Sequence, residues 1–254
     1  MRTPSRRFLE EIPRWFRPGA VYTFVGAGGK STAMKRIAGV LAETGLKARM
    51  TTTTRVGTEE FAGCPVRLVL GRSAVLEALE QADPVLLLAG ALLKEQGKYA
   101  GIDPLLIDAL RPRADTVILV EGDGSRRLPM KVPRAREPVI PSSSRAVLAF
   151  MGASAFDEPV DERHCYNHES ALALLGRTDA LFEPEEIAAL AAHQDGCRKG
   201  VLPGMRFLVL VNQGDLEGKR ESARTMLRNL SLAHGISGTL LSWWKERVYE
   251  TFGE

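Results

Sequence analysis

Residues 26–32 read Gly-Ala-Gly-Gly-Lys-Ser-Thr, directly after the apolar run VYTFV and directly before a helical pattern. Phosphate oxygens concentrate negative charge. Glycines let backbone N–H groups approach such oxygens with no Cβ in the way. The head of the following helix adds unsatisfied donors and the positive end of its dipole. Lys30 offers a point charge to terminal phosphates, and Ser31 or Thr32 a hydroxyl to Mg²⁺. Gly26, Ala27, Gly28, Gly29, Lys30, Ser31 and Thr32 are therefore the candidates for holding a nucleoside triphosphate. A glycine-rich strand-to-helix turn with a chance lysine is the plainer alternative.

A second chemical stretch is TVILVEGDGSRR, which sets Glu121 and Asp123 just past another apolar run. Carboxylates at the carboxyl end of a parallel strand are placed to hold Mg²⁺, directly or through water. Glu121 is the first candidate and Asp123 the second; the alternative is a solvated GDGS turn. Arg126 and Arg127 follow, either as cations that stabilise phosphoryl charge or as part of a solvated basic loop. Thr51–Thr54 end a further run. The hydroxyls of Thr52 and Thr53 are candidates for a phosphate, for Mg²⁺ or for an attacking water, although threonine is also an ordinary strand residue.

His164 and His168 are four apart, so on a helix they would share a face and could both reach a metal, with Glu169 as a third ligand. Surface or packing roles are the commoner use of such pairs. Cys197 lies between basic residues in GCRKG, a setting that lowers a thiol pKa and makes the thiol reactive, or else leaves it a plain exposed cysteine. Cys64, beside Pro65, reads as structural.

Positioning these groups requires strands that end where they stand. Apolar runs at 21–26, 47–54, 65–70, 84–90, 115–124, 145–152 and 205–215 alternate with helical patterns after Lys30, around SAVLEALEQA and IDPLLIDALR, and after Leu216. Nearly continuous apolar strands between helices predict an α/β fold, a mostly parallel sheet with helices on both faces. Residues 155–203 carry helical patterns without strand signals and are expected to be a small helical insertion within one domain spanning 1–254. Residues 133–144 read as a long loop, and RRFLEEIPRWF as a short amphipathic lead-in helix.

The 254 residues are 44% hydrophobic and 26% charged, with net charge +3, which suits anionic small molecules more than a nucleic-acid track. Three widely spaced cysteines imply no disulfide framework and fit a reducing, cytoplasmic setting. No run reaches the ~18 apolar residues of a membrane span, and the basic N-terminus lacks the apolar core of a secretory signal.

The phosphate loop departs from two common patterns. A dinucleotide fingerprint needs glycine where Ser31 stands and an acid where TTTT stands, and a standard phosphate loop needs glycine at Phe24. The shortened loop resembles that of the Mur ligases, and VEG resembles a segment of dethiobiotin synthetase-like enzymes in which the glutamate helps hold magnesium. FLVLVNQGD is similar to the N-K-x-D base-reading turn of GTPases, with Gln213 in the lysine position. That likeness makes Asn212 and Asp215 candidates for reading the base; otherwise Asp215 caps the next helix.

Taken in order, VGAGGKST, TTTTR, VEGDGSRRLPMKVPRAREPVIP and VNQGD resemble the YqeC family, with Gly122 and Gln213 departing from that family's pattern. The resemblance implies a P-loop NTPase-like fold and an accessory role toward selenium-dependent molybdenum hydroxylases, with the hydroxylase or its other maturation proteins as partners. It also gives the loop carrying Lys131, Arg134 and Glu137 a purpose, to bind a second ligand or shape the site. The expected function is an Mg²⁺-dependent binder and slow hydrolase of ATP or GTP, in which Lys30, Glu121, Asp123 and Arg126 act on the phosphates. Two other functions fit the same residues: an ATP-dependent kinase or ligase acting on a small acid or cofactor, and a non-catalytic switch that orders a loop for a partner.

Overall fold

The computed structural model describes residues 14–110, 113–242 and 248–253. Most of the expected lead-in helix lies outside the described residues. Nine strands form the main sheet: β1 (Val21–Gly26), β2 (Lys47–Thr52), β3 (Val66–Leu68), β4 (Val85–Ala89), β5 (Thr116–Glu121), β6 (Ser144–Gly152), β7 (Arg206–Asn212), β8 (Gly238–Leu241) and β9 (Tyr249–Phe252). Their order is β9-β8-β7-β6-β1-β5-β2-β4-β3, and every neighbouring pair is parallel except β8 with β9. The described helices are α1 (Lys30–Glu43), α2 (Arg72–Glu80), α3 (Pro104–Asp108), α4 (His168–Leu175), α5 (Pro184–Ala192) and α6 (Arg220–His234). The expected α/β architecture with a mostly parallel, P-loop NTPase-like sheet is what the chain adopts. No helix among the described residues is long and apolar enough to cross a membrane.

The layers follow from side-chain alternation. Every residue of β1 and β5 is buried, which explains their uninterrupted apolar runs. Tyr22 and Phe24 face one layer, where Met34, Ile37 and Leu41 of α1 meet them at helical spacing. Val21 faces the other side, with Val75 and Leu79 of α2 and Ile107 of α3. Val25 joins Val147 and Val209 under Ile187 of α5 and Met226 of α6. Segment 155–203 carries α4 and α5, and its Phe156, Phe182 and Leu190 enter that same cluster.

Several elements were not expected. Val56–Gly57, Ala91–Leu93 and Lys98–Ala100 form a small antiparallel sheet, and β8 and β9 extend the main sheet past the last predicted helix. All are too short to show a period. The run predicted as a strand to residue 54 stops at Thr52, where its hydroxyls turn inward.

Arg49, within β2, is fully buried. Its guanidinium donates to the carbonyls of Ala78 (3.1 Å), Leu79 (3.3 Å), Gln81 (2.7 Å) and Asp83 (2.8 Å), closing the open end of α2 and the turn after it. Arg49→Met keeps most of the volume and abandons those acceptors. The expected loss is roughly 3 kcal/mol in urea unfolding, since each orphaned buried acceptor costs about 1–3 kcal/mol. A loss below about 1 kcal/mol would show that water replaces the guanidinium.

Candidate functional site

The carboxyl ends of β1, β5, β6 and β7 are side by side, because β1 lies between β5 and β6, and β7 beyond β6. They deliver Gly26–Lys30, Glu121–Asp123, Gly152 and Asn212 to one rim. Two glycines let the loop seat on β6. A Cβ on Gly26 (φ 86°) would stand 2.3 Å from the Phe150 carbonyl oxygen, and one on Gly28 (φ 72°) 2.2 Å from the Gly152 nitrogen. No side chain fits either gap.

That seating sorts the loop amides. The Gly26 N–H donates to both oxygens of Asp123 (3.0 and 3.2 Å), that of Ala27 to Phe150 (2.8 Å) and that of Gly28 to Leu128 (3.2 Å). Gly26 and Ala27 therefore position the loop and do not line the cavity. The N–H groups of Gly29, Lys30, Ser31 and Thr32, at the head of α1, have no hydrogen-bond partner among the described residues. They open on a cavity of about 890 Å³ that is also lined by Glu121, Arg126, Tyr166 and Asn212.

Beneath the loop runs a buried chain of charges. Lys30 Nζ donates to the Gly26 carbonyl (2.5 Å) and lies 3.4 Å from Asp123 Oδ1 and 3.9 Å from Glu121 Oε1. Lys131 Nζ holds the other oxygen of Asp123 (3.2 Å), Glu137 Oε2 (2.8 Å) and the Gly124 carbonyl (2.6 Å). Asp123 and Lys131 are inaccessible to solvent. Asp123 is thus an internal counterion for both lysines and the Gly26 amide, set apart from the cavity wall.

Ser31 Oγ donates within reach of Glu60 Oε2 (2.7 Å) and Glu121 Oε2 (3.1 Å). One hydroxyl hydrogen serves one acceptor at a time, so a proton on Glu121 would satisfy both contacts. Burial pushes the Glu121 carboxyl up to about 7, and the Glu60 and Asp123 charges add to the effect against the pull of Lys30. Glu60 was not foreseen; it sits in a short 3₁₀ turn, Thr58–Phe61, that carries no motif.

The remaining candidates are placed as follows. Thr52 Oγ1 donates to the Glu121 carbonyl (3.1 Å) and Thr53 Oγ1 to that of Val139 (2.9 Å), so Thr52 fastens to the acidic strand end and Thr53 to the long loop, and Thr54 lines the cavity instead. Asn212 Nδ2 donates to the Gly28 carbonyl (2.8 Å), while its buried Oδ1 has no partner among the described residues. Asp215 accepts from the Ser242 hydroxyl and is not on the cavity wall, so the expected base-reading pair is split. Arg126 lies over the Tyr166 ring, 5.1 Å from its centroid, and Arg127 pairs with Glu59.

Two expectations are corrected. His164 and His168 do not share a helix face, because strand Cys165–Tyr166 stands between them and α4 begins at His168; His164 Nδ1 is 2.8 Å from Asp161 Oδ1. Neither belongs to a metal-ligating group among the described residues. Cys197 is buried, and burial pushes its thiol up to about 12, the reverse of a reactive cysteine. Its neighbour Lys199 turns away to donate to the Arg134 carbonyl (2.7 Å).

Comparison with known proteins bears on most of the rim. The family profile described as YqeC protein matches residues 22–169, which include the glycine loop, the acidic strand end and Tyr166. A curated relative from Escherichia coli (strain K12), described as "Uncharacterized protein YqeC", is 34% identical over 198 residues, covering 76% of this chain and 75% of the relative.

A carboxyl whose folded pKa is raised contributes stability that is fully present below its unfolded pKa and lost as pH rises through the folded value. For Glu121 that window runs from 4.5 to about 7. In metal-free protein, wild type should lose on the order of 2 kcal/mol relative to Glu121→Gln between about pH 5.5 and about pH 8. Urea midpoints at the two pH values measure this, and parallel pH profiles would place the proton on another group.

Proposed function

The chain belongs to the YqeC family, and we propose that within it this rim binds a nucleoside triphosphate, ATP or GTP, with Mg²⁺ and hydrolyses it slowly. The observation that carries this reading is the set of unpartnered amides of Gly29–Thr32, opening beside buried Lys30 onto a cavity of about 890 Å³. Ligand pockets span about 300–1,000 Å³, so a nucleotide fits with room to spare. Asn212 Oδ1, without a partner among the described residues, leaves a free acceptor beside the loop for a donor on the base or on metal-bound water.

The donor set suits a hard divalent cation. Ser31 Oγ, Glu121 Oε2 and Glu60 Oε2 are all oxygens, gathered within hydrogen-bond distance around Ser31. Ser31 and Glu121 would hold Mg²⁺, with Glu60 beside them, and the ion would neutralise charge developing on phosphate oxygens. The protein's own part is electrostatic. Lys30 exchanges its Gly26, Asp123 and Glu121 contacts for phosphate oxygens, and Asp123 keeps Lys131 and the Gly26 amide as partners while it does so. The α1 amides fix the phosphates in place. Phosphoryl transfer asks little covalent chemistry of the protein, so positioning and charge neutralisation carry the catalysis.

In this reading turnover serves assembly of a selenium-dependent molybdenum hydroxylase, the role that the family likeness implies. Calorimetric titration with ATP and GTP, with and without Mg²⁺, tests the binding. Lys30→Ala should weaken binding at least tenfold, about 1.4 kcal/mol, and Ser31→Ala should remove mainly the Mg²⁺-dependent part. Equal affinity in wild type and Lys30→Ala would end the proposal. Phosphate release by the protein alone identifies a hydrolase, nucleoside diphosphate formed only with a small acid present a kinase or ligase, and tight binding without turnover a switch.

A further inference from the structure

The Tyr166 ring gathers three cations: Arg134 at 4.7 Å, Lys131 at 5.0 Å and Arg126 at 5.1 Å from its centroid. Lys131 is neutralised by Asp123 and Glu137. The two guanidinium groups have no carboxylate partner among the described residues, and their shared ring keeps them within about 10 Å of each other. Both are exposed, so water screens their repulsion, but an anion between them would meet two donors at once. A ring face alone is weak compensation for an exposed cation.

The backbone also works to aim Arg126. Arg126 (φ 51°) and Arg127 (φ 63°) are consecutive left-handed residues, a conformation unfavourable for any residue but glycine. Arg127 is then tied across the cavity mouth to Glu59, beside the Glu60 of the proposed cation site. Arg126 and Tyr166 line the same cavity as the phosphate loop, with Gly124 and Ser125 between them and the acidic strand end. Lys131 bonds the Gly124 carbonyl and thereby fixes that stretch from below.

We infer that Arg126 and Arg134, on the Tyr166 ring, form a second anion subsite at the edge of this cavity, with Arg126 on its wall and the exposed Arg134 beside the ring, one that takes a small molecule bearing a carboxylate or a phosphate. Arg126 thus serves a second ligand, and not the phosphoryl group of the nucleotide as the sequence suggests. The inference rests on the proposed nucleotide binding for what the second ligand does there, not for its existence. An acidic molecule held next to bound nucleotide is the arrangement that activation or transfer onto that molecule requires, and hydrolysis alone has no use for it.

The test uses the full chain and two probes, inorganic phosphate and malonate, titrated calorimetrically without nucleotide and after saturation with a non-hydrolysable ATP analogue and Mg²⁺. One of the probes should bind the nucleotide-loaded protein, and Arg126→Gln and Arg134→Gln should each weaken it at least tenfold with unchanged urea midpoints. In nucleotide-free Lys30→Ala the same arginine-dependent binding should persist. The tighter probe assigns the ligand as phosphate or carboxylate. If no analogue binds but arginine-dependent uptake of a probe remains, the subsite stands and the nucleotide reading falls. Absence of binding by both probes, or binding lost in Lys30→Ala and intact in both arginine variants, overturns the subsite.

Discussion

One buried carboxylate organises this molecule's functional rim. Asp123 is closed to solvent, accepts the Gly26 amide with both oxygens, and stands between the ammonium groups of Lys30 and Lys131. Removing an ion from water costs several kcal/mol unless partners surround it, and Asp123 has its partners on three sides. Through them it fixes where β1 ends, where Lys30 of the glycine loop rests and how the 124–137 loop is anchored. Glu121 and Glu137 extend the chain at its two ends, leaving one more carboxylate than ammonium. Burial is the main reason for the raised carboxyl at Glu121, and the negative charges of Glu60 and Asp123 add to it.

The sheet supplies the geometry that this charge chain needs. Gly26 and Gly28 bring the loop against β6, Asn212 fastens it to β7, and Thr52 and Thr53 tie the end of β2 to the end of β5, with Thr53 also reaching Val139 of the 133–144 loop. Donors at the head of α1 are then left facing the cavity because the earlier amides are already committed. In this state Lys30 rests on protein oxygens. Under the proposed function, binding a polyanion there would be an exchange of partners in place, avoiding the cost of bringing a solvated lysine in from water.

What the sequence made legible is local. Strand, glycine loop, lysine and helix are contiguous, so period and composition reveal them together, and the acid-bearing strand end is visible for the same reason. What it hid is long-range. Glu60 reaches Ser31 across 29 positions from a turn of no distinctive composition. Asp123 reads as a lesser metal candidate until Lys131 and Gly26 are seen around it. Tyr166 gains meaning only when residues 126–134 wrap over it. The histidine pair misled because spacing speaks of a shared face only on a helix, and the basic neighbours of Cys197 misled because flanking charge says nothing of burial. Strands of two to four residues, such as Val56–Gly57 and β8, are below the length at which alternation can be recognised.

The state of the thiols has a practical corollary for anyone wishing to watch this loop move. Cys165 and Cys197 are both pushed up to about 12, and burial raises Cys64 as well. Buried and held as thiols, Cys165 and Cys197 offer alkylating dyes and spin labels little to react with. With the half-buried Cys64 replaced, a single cysteine engineered near residue 135 would carry a reporter against a low background.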